Sequence, residues 1–471
     1  MAAPSAVLAA LERGFERTLA DLVDLARIPS VSAAGFNPAH VVESAERVAE
    51  LFRGAGLEPV DLVGIPGAHP YVVAECRAAR RDAPTVLLYA HHDVQPPGRE
   101  ERWETPPFDP TVRGDGRLYG RGVVDDKAGV MLHLAALRAW LEATGSLPVH
   151  VKFVVEGEEE IGSAHLARFL ATHREPLRAD VIVLSDTANL ATGLPSLTTS
   201  LRGLVAIDVT VRALDHPLHS GMWGGPVVDA ASALVCLLAR LFDGEGQIAV
   251  PGLDDDVPAL SAAERARIAA LPFDEAVFRR EGGLLPGLRL AGDPARSPYE
   301  RLWARPCVAL TALDGIPLAT AANQLLAEAS ARVGVRLAPG QDAERVRELL
   351  TGFLRRDPPW GVTVETRCET AVPGWRTEPR GPAFDAARRA LRLGFGRDPA
   401  LIGCGGSIPF VGPFVEVLGG APALLLGLED PPCNAHGENE SLDLEDFRKA
   451  SRAAAHLLAE LSEAAVRTTR S

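Results

Sequence analysis

Lysine is almost missing from this chain of 471 residues: Lys127, Lys152 and Lys449 are its only three, and arginine supplies the rest of the positive charge. That skew reflects genome composition and carries no chemistry of its own. Cysteine is scarce too. Cys76, Cys236, Cys307, Cys368, Cys404 and Cys433 are scattered, with no C-x-x-C spacing, which argues against a disulfide framework and suits reduced thiols in a cytosol. No apolar run is long enough to cross a bilayer, since the most apolar, residues 421–428, falls far short of the roughly 20 needed. The first turns carry Glu12, Arg13, Glu16 and Arg17 where a signal peptide has an apolar core. A cytoplasmic protein with no membrane partner is expected. Positive charge is in deficit, with 48 basic against 62 acidic residues and a net charge of −14. An acidic surface repels phosphate backbones, so nucleic acid is excluded as a partner. Internal repeats and low-complexity tracts are lacking as well.

What is present is a soluble globular composition, 47% hydrophobic and 23% charged, long enough for two or three domains. Apolar residues recur at helical spacing over 6–27, and a second helix is expected over 41–54. Short strands are expected at 71–75, 85–90, 150–156 and 180–185, with helices near 128–144 and 164–172. Strands alternating with helices indicate an α/β layer with a largely parallel sheet. The style then changes. Strand 203–214, helix 228–242, strands 308–313 and 327–337, helix 342–355 and strand 361–367 follow the β-α-β-β-α-β order of a ferredoxin-like α+β unit. An irregular, Pro- and Asp-rich insert, 251–301, interrupts it. From about Gly381 the α/β style returns, with helix 383–395, strand 421–427 and a final helix 444–466. The division expected is a catalytic α/β domain in two parts, 1–201 and 377–471, around an inserted domain, 202–376.

Five segments carry chemistry. His91-His92-Asp93 follows an apolar strand, and alternation puts His91 and Asp93 on one side with His92 opposite. A carboxylate beside an imidazole can orient the ring and raise its basicity. Next, Gly120-Arg121-Gly122-Val123-Val124-Asp125-Asp126-Lys127 places paired aspartates before a helix, where one can cap and the other ligate. Glu156-Gly157-Glu158-Glu159-Glu160 then ends a buried strand, and so many carboxylates there need a cation or solvent to neutralise them. Asp186 and His436 complete the set, each in a loop after an expected strand. Singly these are ordinary: a surface loop, an N-cap, a solvated acidic run, a turn, an exposed histidine. Jointly, all five lie past the C-terminal ends of expected strands, the edge where open α/β sheets bind ligands. Two imidazoles and several carboxylates there match the donors of zinc. A carboxylate shared by two ions would hold them roughly 3.5–4 Å apart.

On these motifs the chain resembles the dinuclear zinc metallopeptidases, a family of carnosinase-like dipeptidases, tripeptidases, carboxypeptidases, desuccinylases and aminoacylases. The resemblance covers nearly the whole chain. It implies a phosphorylase/hydrolase-like catalytic domain interrupted by a ferredoxin-like lid and dimerisation domain, and a cofactor of two Zn2+ ions, with Mn2+ or Co2+ as substitutes. By it His91 ligates one ion and Asp93 orients that ring. Asp125 bridges both ions and is followed by a cis peptide bond. Glu159 is the general base for a water held between the ions. Glu160 completes the site of His91, while Asp186 and His436 complete the second. His219, in Leu214-Asp215-His216-Pro217-Leu218-His219-Ser220-Gly221, is implied to act across a homodimer on the developing oxyanion. Arg336 is implied to grip a substrate carboxylate, with Asn323 and Ser407 of the Gly405-Gly406-Ser407 loop also binding substrate. Many relatives carry Glu before those glycines where this chain has Cys404.

Asp at position 186, together with the continuation Val94-Gln95-Pro96, resembles the carnosinase-like dipeptidase branch. Hydrolysis of dipeptides or short peptides is therefore the expected activity. An N-acyl-amino-acid amidohydrolase or carboxypeptidase is the alternative within the class, and an inactive, metal-free dimeric binding protein is the alternative outside it.

Overall fold

The computed structural model describes residues 2–464. It divides into two compact units: Met1–Thr199 with Glu378–Ile402 and Phe410–Ser471, and Ser200–Thr377 with Gly403–Pro409. The glycine-rich loop 403–409 clusters with the smaller unit.

The larger unit is built on a sheet ordered Val60–Val63, Tyr71–Cys76, His150–Glu156, Thr85–His91, Val181–Leu184, Ala423–Leu425 and Ser196–Leu201. Its centre is parallel. Thr85–His91 pairs His150–Glu156 from Thr85↔His150 to His91↔Glu156, and Tyr89↔Leu184 and Leu425↔Leu184 continue that alignment. Because the registers match, the loops after these strands emerge at one edge. The central strands are apolar on both faces, as buried parallel strands must be. The flanks differ from expectation: Tyr71–Cys76 runs antiparallel to both its neighbours, and Ser196–Leu201 runs antiparallel to Ala423–Leu425. A separate ribbon of Thr111–Val112, Arg117–Tyr119 and Ser441–Asp443 carried too few residues to be read from sequence.

The expected helix 6–27 is two, Ser5–Arg13 and Phe15–Ala26, separated at Gly14, a residue of poor helix propensity. The second ends on a lysine. Lys127, fully buried, donates from Nζ to Leu25 O (3.0 Å) and Ile28 O (2.8 Å), satisfying carbonyls at the end of that helix. Burial pulls its pKa down to about 7. Lys127 also opens the central helix Lys127–Thr144, so one side chain ties the N-terminal helices to the start of the helix after Asp125. Helices Pro382–Phe395 and Leu444–Glu463 pack closely together. The last was expected to reach 466, and residues 465–466 lie outside the described residues.

In the smaller unit the sheet order is Cys307–Asp314, Glu328–Leu337, Gly203–Arg212, Thr363–Val372, all antiparallel. Helices Ala230–Ala239 and Ala343–Arg355 cover its apolar face, where Val205, Ile207, Val333 and Val335 meet Leu234, Leu237 and Leu350. This is the ferredoxin-like arrangement. The insert is less irregular than its composition suggested. It folds three short helices, Ala262–Ala269, Glu275–Glu281 and Pro298–Trp303, capped by Ser261, Asp274 and Ser297.

Close helix packing in the larger unit depends on Gly394, where an added Cβ would lie 2.6 Å from the Ala453 Cβ and backbone nitrogen. Gly394→Ala is expected to lose about 1–3 kcal/mol of stability by overpacking, read as a lower melting temperature. Gly352→Ala, in a helix where a Cβ meets nothing within 4 Å, is expected to gain about 0.5–1 kcal/mol.

Candidate metal centre

His91 closes its strand, and its backbone N–H donates to Asp126 Oδ2 at 3.2 Å. His91 and Asp93 lie on one side, as alternation required. His92 points away, buried, with Nε2 3.1 Å from Pro70 O, and burial pushes it down to about 4. Asp93 is fully buried and does more than orient His91. Its Oδ1 is 3.4 Å from His91 Nδ1. The same carboxylate accepts from Ser32 Oγ (2.6 Å) and from the backbone N–H groups of Glu159 (3.2 Å) and Glu160 (3.1 Å). One side chain thus fixes the histidine and the glutamate turn together.

The acidic run after His150–Glu156 splits by direction. Glu156 and Glu158 turn inward: Tyr89 donates to Glu156 at 2.6 Å, and Tyr71 donates to Glu158 at 3.0 Å. Glu158 also accepts from the His165 backbone at 2.8 Å, which gives a structural place to a residue that sequence left without one. Glu160 turns toward the centre, where the Gln95 amide donates to it at 2.9 Å.

Asp125 lies between the two imidazoles. Its Oδ1 is 3.0 Å from His91 Nε2 and its Oδ2 is 2.9 Å from His436 Nε2. Asp186 lies 3.7 Å from His91 Nε2, and Glu160 lies 3.3 Å from His436 Nε2. The short contacts therefore pair His91 with Asp186 and His436 with Glu160, the reverse of the division the resemblance implied. Ligand atoms of His91, Asp125 and Glu160 do fit within 4.8 Å of one another, as do those of His91, Asp126 and Asp186 and of Asp125, Asp186 and Glu429.

Two expectations about the Asp125 segment need correction. Asp125 does not follow a strand of the main sheet; it follows Arg117–Tyr119 of the small ribbon and stands just ahead of helix Lys127–Thr144. Asp126, joined to it by a cis peptide bond, occupies the cap position without a capping bond. Its carboxylate instead lies over Gly129, where an added Cβ would sit 2.0 Å from Oδ1.

What holds Asp125 is a residue to which the sequence pattern gave no role. Glu440, fully buried, accepts from the backbone N–H groups of Gly122 (3.0 Å), Val124 (3.1 Å) and Asp125 (3.3 Å). Arg121, equally buried, donates to Glu440 at 2.6 Å and to Gly437 O at 3.0 Å. Glu440 thus fastens the Asp125 turn to the loop of His436, which runs through left-handed backbone at Asn434, His436 and Asn439. Glu429, four residues past Ala423–Leu425, was missed as well, although the strand-end rule reaches it.

Negative charge dominates this cluster. Burial, then the Asp186 charge, raises both Asp126 and Glu159 well above the usual carboxylate range. Burial, then Asp125, pushes Glu160 up to about 7 and also raises Glu429 well above the usual carboxylate range. Burial raises Asp186 too. For Asp125 burial is outweighed by the His436 and His91 rings, which hold it low, while Asp125 and Glu160 lift His436 to about 11. Carboxylates crowded out of water around two imidazoles lack cations, and divalent ions with oxygen and nitrogen ligands answer that need.

The other expected residues lie in the smaller unit. His219 caps the short helix Ser220–Trp223 and pairs with Gln324 across a two-residue ribbon, with the Ser220 N–H donating to Asn323 O at 2.9 Å. Arg336 Nη1 donates to Ser407 Oγ at 2.8 Å. The six cysteines are free thiols, and among the described residues no helix is long and apolar enough to cross a membrane.

The pattern of peptidase family M20/M25/M40 matches residues 87–460. A cysteinylglycine-S-conjugate dipeptidase of Corynebacterium striatum is 34% identical over 80% of this chain and 81% of its own. The dipeptidase Dug1p from Saccharomyces cerevisiae has a solved structure that matches with a TM-score of 0.85 at 26% identity, covering 98% of this chain and 99% of that one. Human carnosine dipeptidase 1 matches with a TM-score of 0.85 at 25% identity, covering 98% and 100%.

Arg121→Leu leaves Glu440 buried without its counter-charge. It is expected to cost about 3–5 kcal/mol and to lower the metal retained after gel filtration. Unfolding in denaturant and elemental analysis check both effects.

Proposed function

The chain belongs to peptidase family M20/M25/M40, and from that premise we propose that it hydrolyses the peptide bond of dipeptides or short peptides using two divalent ions. One observation carries the reading: the two oxygens of the Asp125 carboxylate face different imidazoles, at 3.0 and 2.9 Å. His91 and Asp186 would hold one ion, His436 and Glu160 the other, and Asp125 both. Nitrogen and oxygen donors favour zinc, with manganese or cobalt as substitutes. When bound, such ions polarise the scissile carbonyl and lower the pKa of the attacking water.

The chain's own groups do the rest. The Glu159 carboxylate takes the proton of the attacking water and delivers it to the leaving nitrogen. Asp93 holds Glu159 and Glu160 by their backbone, so the base and its neighbouring ligand stay in register. Arg336, steadied by Ser407, receives the substrate carboxylate as a bidentate fork, and Asn323 assists in binding. His219 stabilises the oxyanion from the partner subunit of a homodimer. Its exposure supports that role, as do the neighbouring exposed Met222 and Trp223, an apolar patch that a second copy would cover. Free thiols fit a cytoplasmic setting.

Glu159→Gln is expected to keep its metal and lose about 10²–10⁴-fold in kcat; full turnover in that variant would end the base assignment. A chelator is expected to abolish activity, and zinc, manganese or cobalt to restore it in a dipeptide assay. Cleavage of N-acetyl amino acids with no dipeptide turned over favours the amidohydrolase alternative, which Cys404 makes worth testing. Mixing Glu159→Gln with His219→Ala protein is expected to recover activity that neither has alone, since a mixed dimer rebuilds one complete site.

A further inference from the structure

The smaller unit holds a second arginine beside Arg336. Arg202 is only 7% exposed. Its backbone N–H donates to Cys404 O (3.3 Å) and Gly406 O (3.1 Å), and its Nε donates to Gly405 O at 2.9 Å. Its Nη1 lies 3.3 Å from Cys307 Sγ, and Cys307 is the register partner of Arg336 across the sheet. The two guanidiniums feel each other: burial, then the Arg202 charge, lowers the pKa of Arg336. Among the described residues both side chains bond only to a carbonyl, a thiol and a hydroxyl, with no carboxylate. Two like charges drawn out of water with unspent donors are stabilised by an anion between them.

Helix Pro298–Trp303, which begins at the end of the insert, supplies the other wall. Trp303, stacked on Tyr299 at 4.6 Å, lies against Gly403, where an added Cβ would be 2.6 Å from the Trp303 Cβ. Leu302 reaches the next part of the loop. A Cβ built on Gly405 would lie 3.2 Å from Leu302 Cδ1 and 3.2 Å from Arg202 Nη2. The bare backbone of Gly405 therefore separates a guanidinium from an apolar side chain that is 38% exposed.

We propose that Arg202 is a second cation, beside Arg336, in one carboxylate subsite, and that Leu302 of helix Pro298–Trp303 is the apolar wall of that subsite. The preferred substrate is then a dipeptide with a free C-terminal carboxylate and an apolar C-terminal side chain. This rests on the dipeptidase reading above.

The test compares Ala-Leu, Ala-Leu amide and Ala-Asp as substrates of the metal-loaded protein. Wild type is expected to prefer Ala-Leu over both. Arg202→Gln is expected to shrink the acid-over-amide preference roughly 10-fold, mainly through KM, the size of one charge-assisted contact, and Arg202→Lys to keep part of it. Leu302→Lys is expected to shift preference toward Ala-Asp by a similar factor. If Arg202→Gln lowers acid and amide equally, Arg202 only supports the loop and the proposal fails; it fails also if Leu302→Lys leaves the Leu-to-Asp ratio unchanged. Should Arg202→Gln not fold, by thermal melting, Arg202→Lys and Leu302→Lys decide. If wild type cleaves no dipeptide, the dipeptidase reading is lost, and calorimetry with free leucine and leucinamide judges the subsite alone. Binding of leucine only, weakened by Arg202→Lys, supports it, and equal binding of the two overturns it.

Discussion

Buried negative charge in excess of its local partners is the constraint around which this molecule is organised. Asp125, Glu160, Asp186 and Glu429 are drawn together away from water, with His91 and His436 among them. Such a cluster persists only where something else compensates it. Part of the answer is the ions that its donor set suits. Further buried carboxylates nearby are satisfied by the chain itself, through backbone N–H groups that donate to them. Asp93 is met this way by the Glu159–Glu160 turn and Glu440 by the Gly122–Asp125 turn. The same device, used twice, turns two flexible loops into fixed ligand supports.

Both devices join segments far apart in sequence. Asp93 links the end of one strand to the loop after another, and Glu440 links the Asp125 turn to the His436 loop through Arg121. The parallel registers at the sheet centre bring the loops to one edge, and these buried bonds set their spacing within that edge. Fold and site are therefore determined at different levels. Apolar strands give the layer and its direction, while a few charged side chains at their ends give the positions of atoms.

That division explains what could be read from sequence. The alternation of strand and helix, the ferredoxin-like order of the inserted unit, and the placing of Glu160, Asp186 and His436 past strand ends were legible because they follow period and strand ends. The grouping of those residues was not. Whether Glu160 turns toward His91 or His436 depends on side-chain direction in a loop, which periodicity does not encode. Glu440 and Arg121 were not legible, because a buried ion pair between residues more than 300 positions apart leaves no local pattern. The insert misled for a related reason. Its proline and aspartate content suggested irregular chain, yet Asp274 and Ser297 are helix caps, and the helix that Ser297 caps carries Leu302 and Trp303 to a glycine loop some hundred residues later.

The bond from Lys127 to Leu25 O and Ile28 O gives the leading helices an unexpected standing. Terminal segments are commonly the expendable part of a domain, the place to trim or to attach a fusion partner. Here the ammonium that closes the second helix belongs to the residue two after Asp125. Peeling that helix away would strip a sequestered cation of both its acceptors at the doorstep of the reaction chamber. Damage at the outer edge of the polypeptide would thus be felt as a loosened centre.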